Sequence, residues 1–315
     1  MVGKVLPQNI ALALYKKQCD YDINEIRIRL NKPIVVICNQ RAYFLSFDGL
    51  CSNPNSAIIA SKEIIDEIVF KASDYSLYSV NEQIKQGYLT VDGGIRIGLC
   101  GEVVLEGDKI KTIKDFTSLC IRIPHDIKGV CKPIFNKIVE SDNVLNTLII
   151  SPPGAGKTTM LRDIIFQLSS HNYSYNVFIA DERGEIVGGK DNPFNLGCFF
   201  DYISFLNKKE SLIFGLRSIS PDIVVTDEIS KEEDISIIKH LIGCGVSVIA
   251  TVHAKDIDDL KRKEAFKDFI LGRYFKRYIV LSKANGVGTI EGVYREDLTR
   301  IYGGTLWNMY YYYVL

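Results

Sequence analysis

Residues 147–159, TLIISPPGAGKTT, decide the fold. An apolar strand-like run ends at Ser151, two prolines and two glycines make a turn, and Lys157 opens an amphipathic segment, KTTMLRDIIFQL. The spacing fits the phosphate-loop pattern G-x-x-x-x-G-K-[ST]. Gly154 and Gly156 let the backbone wrap a phosphate with its N–H groups, and the dipole of the following helix adds positive potential at the same point. Ser151, Pro152, Pro153, Gly154, Ala155, Gly156, Lys157, Thr158 and Thr159 are therefore the predicted nucleotide-binding loop, with ATP and Mg²⁺ as the implied ligands. Lys157 is expected to reach the β and γ phosphates, and the Thr158 hydroxyl to ligate Mg²⁺. Ser151 stands where the pattern has its first glycine. That position ends a strand and needs less backbone freedom than the inner glycines, so nucleotide binding is expected to survive.

Downstream, apolar strands alternate with helical segments: YNVFIAD, KKESLIFGLRSIS, DIVVTDE, KEEDISIIKHLIGCG and VSVIATVH. This rhythm predicts an α/β domain with a mainly parallel sheet covered on both faces. Three strand ends carry chemistry. Asp227 and Glu228 follow the strand about 70 residues past the loop, where a phosphate-loop enzyme holds the magnesium shell and orients water. Asp227 is assigned to Mg²⁺, partly through water, and Glu228 to the catalytic or water-positioning role. Asp181, Glu182, Arg183 and Glu185 form a second acidic cluster, ADERGE, in which either Glu182 or Glu185 fits a general base and spacing does not choose. Thr251 and His253 end a third strand, in the position of a γ-phosphate sensor. Ser230 and Glu233 have capping-box spacing at the next helix start. Beyond His253 the pattern is helical to about Gly272, then returns to strands in RYIVLS, GTIEGVYRE and the tyrosine-rich tail.

Upstream the periodicity changes. INEIRIRL, IVVIC and AYFLSF read as strands, SKEIIDEIVFKA as a helix behind a Ser61 cap, and SLYSVNEQIKQ as a second helix stopped by Gly87. YLTV, IRIGLCGEVVLE and SLCIRIP then read as an antiparallel meander. The expected organisation is a smaller α+β N-terminal domain at 1–135 and a phosphate-loop domain at 136–315, with a linker at about 124–145.

The chain has 315 residues, 47% of them hydrophobic, enough for two cores. Lys plus Arg and Asp plus Glu are both 38, so no global field holds nucleic acid or an anionic membrane, and no specific nucleic acid is expected. Locally, eight basic residues between Lys261 and Lys283 face only Glu264 and Asp268. This stretch is either a docking patch for a membrane complex, lipid or nucleic acid, or a solvated helix face. The eight cysteines lack C-x-x-C pairs and lie mostly in apolar runs, which reads as reduced thiols in a cytosolic core rather than a zinc site. No uncharged apolar run reaches the roughly 18 residues of a membrane helix.

The order of loop, ADERGE, LRSISPDIVVTDEIS and ATVHAKD resembles the secretion and type IV pilus retraction ATPases, with their Walker A, Asp box, Walker B and His box. Arg217, Pro221 and Asp222 fit that family's lead-in to Walker B. The segments SLYSVNEQIKQGYLTVDGGIRIGLCGEVV, KTIKDFTSLCIRIP and TLIISPPGAGKTT are similar, more closely still, to the stage III sporulation AA family of endospore-forming Firmicutes. The resemblance implies a RecA-like ATPase domain and a hexameric ring of identical chains in which ATP hydrolysis moves the two domains. It also implies arginines from a neighbouring N-terminal domain acting on the γ-phosphate, at Arg96 in GGIRIG and Arg122 in CIRIP. The implied setting is the mother-cell cytoplasm, at the membrane, with integral membrane proteins of a sporulation channel complex as partners. A nucleic-acid-binding ATPase, or a nucleotide-dependent scaffold with little turnover, are the competing readings.

Overall fold

The computed structural model describes residues 2–16, 23–38, 41–78, 80–91, 93–125, 127–170, 173, 175–188 and 194–305. The described residues of Met1–His125 and Gly188–Pro193 form one compact unit, and those of Asp126–Val187 and Phe194–Leu315 form another.

In the first unit, helix α1 (Gln8–Tyr15) precedes strands β1 (Ile23–Arg29), β2 (Val35–Cys38), β3 (Arg41–Ser46) and β4 (Gly49–Cys51). Helices α2 (Lys62–Ala72) and α3 (Asn81–Lys85) follow, then β5 (Tyr88–Val91), β6 (Ile95–Glu106) and β7 (Lys109–Arg122). The seven strands form an antiparallel sheet in the order β4-β3-β2-β1-β7-β6-β5. Period-two alternation puts Ile26, Ile28, Ile95, Ile97 and Ile121 into one core with Ile65, Ile68 and Val69 of α2. Two local expectations change. Ser61 sits at the N-cap of α2, but its side chain makes no cap bond to the helix backbone and instead hydrogen-bonds the Glu63 carboxylate, holding it below its ordinary range. The segment SLYSVNEQIKQ is helical only over Asn81–Lys85, because Leu77 and Tyr78 are exposed and give a longer helix no apolar face to bury.

The second unit begins with α4 (Lys132–Ile138) and a short hairpin of β8 (Val139–Glu140) and β9 (Asn143–Val144). Then come β10 (Thr147–Ser151), α5 (Lys157–Leu168), β11 (Val177–Asp181), β12 (Phe200–Ser204), α6 (Lys208–Ser218) and β13 (Ile223–Glu228). The chain continues through α7 (Glu232–Gly243), β14 (Ser247–His253), α8 (Ile257–Arg262), α9 (Glu264–Leu271), β15 (Arg277–Ser282), β16 (Thr289–Arg295) and β17 (Arg300–Thr305). Eight strands form one sheet, β12-β11-β13-β14-β10-β15-β16-β17, parallel from β12 to β15 and antiparallel thereafter. Successive residues of β10 enter opposite cores: Ile149 packs with Ile164 and Leu168 of α5, while Leu148 and Ile150 pack with Leu212 of α6, Ile238 of α7 and Phe269 of α9. The apolar runs are thus strands buried on both faces, and the molecule is of the α/β class.

Here too some details differ from expectation. Helix α7 starts after Lys231, and Asp234, not Glu233, reaches back to the N–H groups of Ser230 and Lys231, at 3.0 and 3.1 Å. The helix beyond His253 is two helices, and β12 is an additional edge strand. Of the seven described cysteines, only Cys38 and Cys131 are buried, while Cys100, Cys198 and Cys244 are exposed. The tyrosine-rich tail is strand through Thr305, and the rest lies outside the described residues.

Candidate nucleotide site

Because β10, β11, β13, β14 and β15 are parallel, their C-terminal ends share one sheet edge, and the polar residues that end them come together there. At β10 the loop turns through Gly154 (φ 69°) and Gly156 (φ 91°), both left-handed, whereas Ser151 completes the strand with its Oγ donating to the Pro152 carbonyl at 2.9 Å. Serine is therefore accommodated where no left-handed backbone is needed. Helix α5 starts at Lys157 behind Gly156 with no side-chain cap and no acidic residue in its first turn, so the leading N–H groups are left for an anion. Thr158 and Thr159 lie in that first turn.

Lys157 projects to His253, the residue paired with Ser151 across the β10–β14 ladder; Nζ lies 2.7 Å from His253 Nδ1. The same Nδ1 is 3.3 Å from the Ser151 carbonyl, and His253 Nε2 faces Glu228 Oε2 at 3.3 Å. Lys157, His253 and Glu228 thus form one chain of contacts. Burial brings the Lys157 amine down to about 8, against the opposing pull of the Glu228 and Glu185 carboxylates.

The Glu228 orientation comes from a bulge. Along β13 and β14 the register runs Val225↔Ile249 and then Glu228↔Thr251, so one extra residue is inserted before the strand end. Asp227 faces different company: the Lys208 ammonium is 2.9 Å from its Oδ1, 3.9 Å from Glu182 and also bonded to the Glu228 carbonyl. Burial raises the Asp227 carboxyl and Lys208 opposes the shift. Lys208 is buried at the first position of α6, where a lysine opposes the helix dipole. That mismatch is the one sequence signal of its role.

In the acidic turn after β11, Asp181 accepts from the N–H groups of Glu185, Ile186 and Val187 at 2.9, 3.0 and 2.9 Å. It shapes the turn. Burial and the nearby Asp227 raise its carboxyl to about 7 although those three bonds pull it down. Arg162 of α5, buried, donates to the carbonyls of Ile186 and Glu185 and stacks 3.6 Å from the Phe194 ring centre, fixing the acidic turn to the loop helix. Its neighbour Asp163 accepts from Gly129 and Cys131 N–H at 2.9 and 2.7 Å. Neither residue stands out in the sequence. Glu185 is the acid of this turn whose charge acts on Lys157, whereas Glu182 is on the Lys208 side.

In the first unit, Arg96 and Arg122 are register partners on β6 and β7, and Glu25 of β1 is the next partner across. The Arg96 guanidinium lies 4.0 Å over the Tyr88 ring, and Arg122 Nε is 3.6 Å from Glu25 Oε2. Ile95, Ile97 and Ile121 beside them are fully buried and Ile123 partly so, which puts the arginines on the opposite face of the sheet.

Five of the eight cations of the basic stretch pair with acids from inside and outside it. Lys261 pairs with Asp258, Lys267 with Glu264, and Arg273 and Lys276 with Glu296. Arg277 is buried against Glu140 and the Lys137 carbonyl.

The sequence matches, over residues 1–301, the family described as Sporulation stage III, protein AA. The chain belongs to that family. It is 34% identical over 304 residues to Stage III sporulation protein AA of Bacillus subtilis (strain 168), spanning 94% of this chain and 95% of that protein. Among solved structures, the Legionella pneumophila ATPase DotB aligns at a TM-score of 0.55 and 15% identity over 82% of this chain and 72% of its own. The pilus retraction motor PilT, solved with bound ADP, aligns at 0.55 and 14% over 84% and 76%. These two likenesses are of fold, the RecA-like α/β architecture. No helix among the described residues is long and apolar enough to cross a membrane.

Proposed function

We propose that this member of the family is a secretion-type P-loop ATPase that hydrolyses Mg-ATP. The observation that carries the proposal is the convergence of Lys157, His253 and Glu228 beside an uncapped, left-handed loop at one sheet edge. The loop N–H groups and Lys157 hold the β and γ phosphates, with Lys157 exchanging its bond to His253 for phosphate oxygens. The donor set suits Mg²⁺, since the hydroxyl of Thr158 and the carboxylate of Asp227, the latter partly through water, are hard oxygen ligands and the phosphates supply the others. When bound, Mg²⁺ neutralises charge on the β and γ oxygens. Glu228 orients the attacking water, His253 reads the γ-phosphate through its contact with Glu228, and Glu185 and Glu182 are the further acids for proton transfer. Arg96 and Arg122 act on the phosphate of a neighbouring copy, which gives a ring of identical chains, six by resemblance.

The relative's name places that protein in sporulation. Carried to this chain, the work done is the powering or regulation of a channel in the membranes between mother cell and forespore. The chain acts from the mother-cell cytoplasm on integral membrane partners, without specific nucleic acid. Glu228→Gln tests the chemistry: ATP binding by equilibrium titration should persist, while phosphate release falls by about 10² or more. Phosphate release from Glu228→Gln equal to wild type, or strong stimulation of wild type by single-stranded DNA, contradicts the reading.

A further inference from the structure

The loop has two flanks. On one, β14 and β13 bring His253 and Glu228; on the other, β15 runs parallel to β10 and delivers Lys283. The Lys283 ammonium lies 3.0 Å, and its Cε 3.5 Å, from where a Cβ on Gly154 would stand. Its side chain is exposed, and among the described residues no carboxylate forms an ion pair with it, unlike Lys261, Lys267, Arg273, Lys276 and Arg277 of the same stretch.

The placement is built. Ser282 Oγ accepts from the Ala284 N–H at 3.0 Å, Thr289 Oγ1 donates to the Gly286 carbonyl at 2.7 Å, and the Gly288 N–H donates to the Ala155 carbonyl of the loop at 3.2 Å. A Cβ on Gly156 would lie 3.3 Å from Gly288 Cα, so the 283–288 turn and the phosphate loop touch backbone to backbone. An exposed cation held against a phosphate loop by this turn, with no acid among the described residues to neutralise it, has a phosphate as its natural partner.

We infer that Lys283 is a second phosphate-binding lysine of the nucleotide site, contacting the α and β phosphates from the flank opposite Glu228. The direction follows from the chemistry of the other flank. The γ-phosphate must face Glu228, which orients water, so the part of the chain nearer the nucleoside leaves toward β15. This inference rests on the ATPase reading above. It makes Lys283 a determinant of affinity for ADP and ATP alike, and not of the hydrolytic step.

The test is equilibrium binding of the fluorescent N-methylanthraniloyl-ADP to the full chain in Mg²⁺, with ADP and ATP as competitors, for wild type, Lys283→Ala and Lys283→Arg. Lys283 is exposed, and unchanged thermal melting should show that the variants fold. Lys283→Ala is expected to weaken ADP and ATP on the order of tenfold each, and Lys283→Arg to recover most of the loss. Wild-type affinity in Lys283→Ala, a loss confined to ATP, or no recovery with arginine overturns the inference while leaving the ATPase reading in place. A wild-type chain that binds neither nucleotide overturns both.

Discussion

At the scale of single residues, the site is poised by the burial of a lysine. With its amine brought down to about 8, Lys157 is a mixture of ammonium and amine just above neutral pH. Phosphate stabilises the ammonium, so bound nucleotide raises this pKa and binding takes up a proton above about pH 8. The sign is fixed: ADP affinity is flat below pH 8 and falls by up to about tenfold per unit above it, until the ordinary lysine range is reached. Calorimetric titrations between pH 7 and 10, in buffers of differing ionisation enthalpy, measure both the affinity and the proton count; a flat affinity to pH 10 would contradict the assignment of Lys157. The reading of Glu228 also belongs to this scale. DIVVTDE ends in two adjacent acids, but only the bulge between Val225 and Glu228 decides which one turns to His253 and which to Lys208. A bulge leaves no mark in residue type, and Lys208 is 20 residues away along the chain.

At the scale of elements, the strands that were legible are those buried on both faces: TLIIS, VFIAD, IVVTDE and SVIATVH read as apolar runs because both neighbouring layers need them so. FDYIS, at the sheet edge, has no such signature and becomes a strand only by pairing with β11. Arg162 and Asp163 were illegible for a related reason. They are polar residues in an amphipathic helix, and only the tertiary fold supplies the carbonyls and N–H groups that bury them. Close packing gives a direct test at Gly215, where α6 crosses β11. A Cβ there would come within 2.3 Å of the Phe178 ring, itself buried in the core. Gly215→Ala should therefore destabilise the protein by about 1–3 kcal/mol despite the better helix propensity of alanine. Urea unfolding measures this, and an unchanged or raised midpoint would show that α6 is not pressed against that ring.

At the scale of the whole molecule, the equal totals of acidic and basic residues carry into the basic stretch, where five of its eight cations pair with Asp258, Glu264, Glu296 and Glu140. Among the described residues of that stretch, Lys283 is the cation left at the sheet edge beside Lys157, while Arg262 and Lys263 lie at the α8–α9 junction. Assembly belongs to this scale too: if Arg96 and Arg122 complete a neighbour's site, mass in solution should rise with ATP toward six chains, and a monomer with and without ATP by light scattering would contradict the ring. The claim on which all of this stands is that the loop at 151–159 binds the phosphates of Mg-ATP. Its most direct test is calorimetric titration of the full chain with Mg-ATP, wild type beside Lys157→Ala. The account predicts saturable binding near one site per chain, weakened about 100-fold or more in the variant. No saturable binding by wild type, or equal binding by Lys157→Ala, would contradict it.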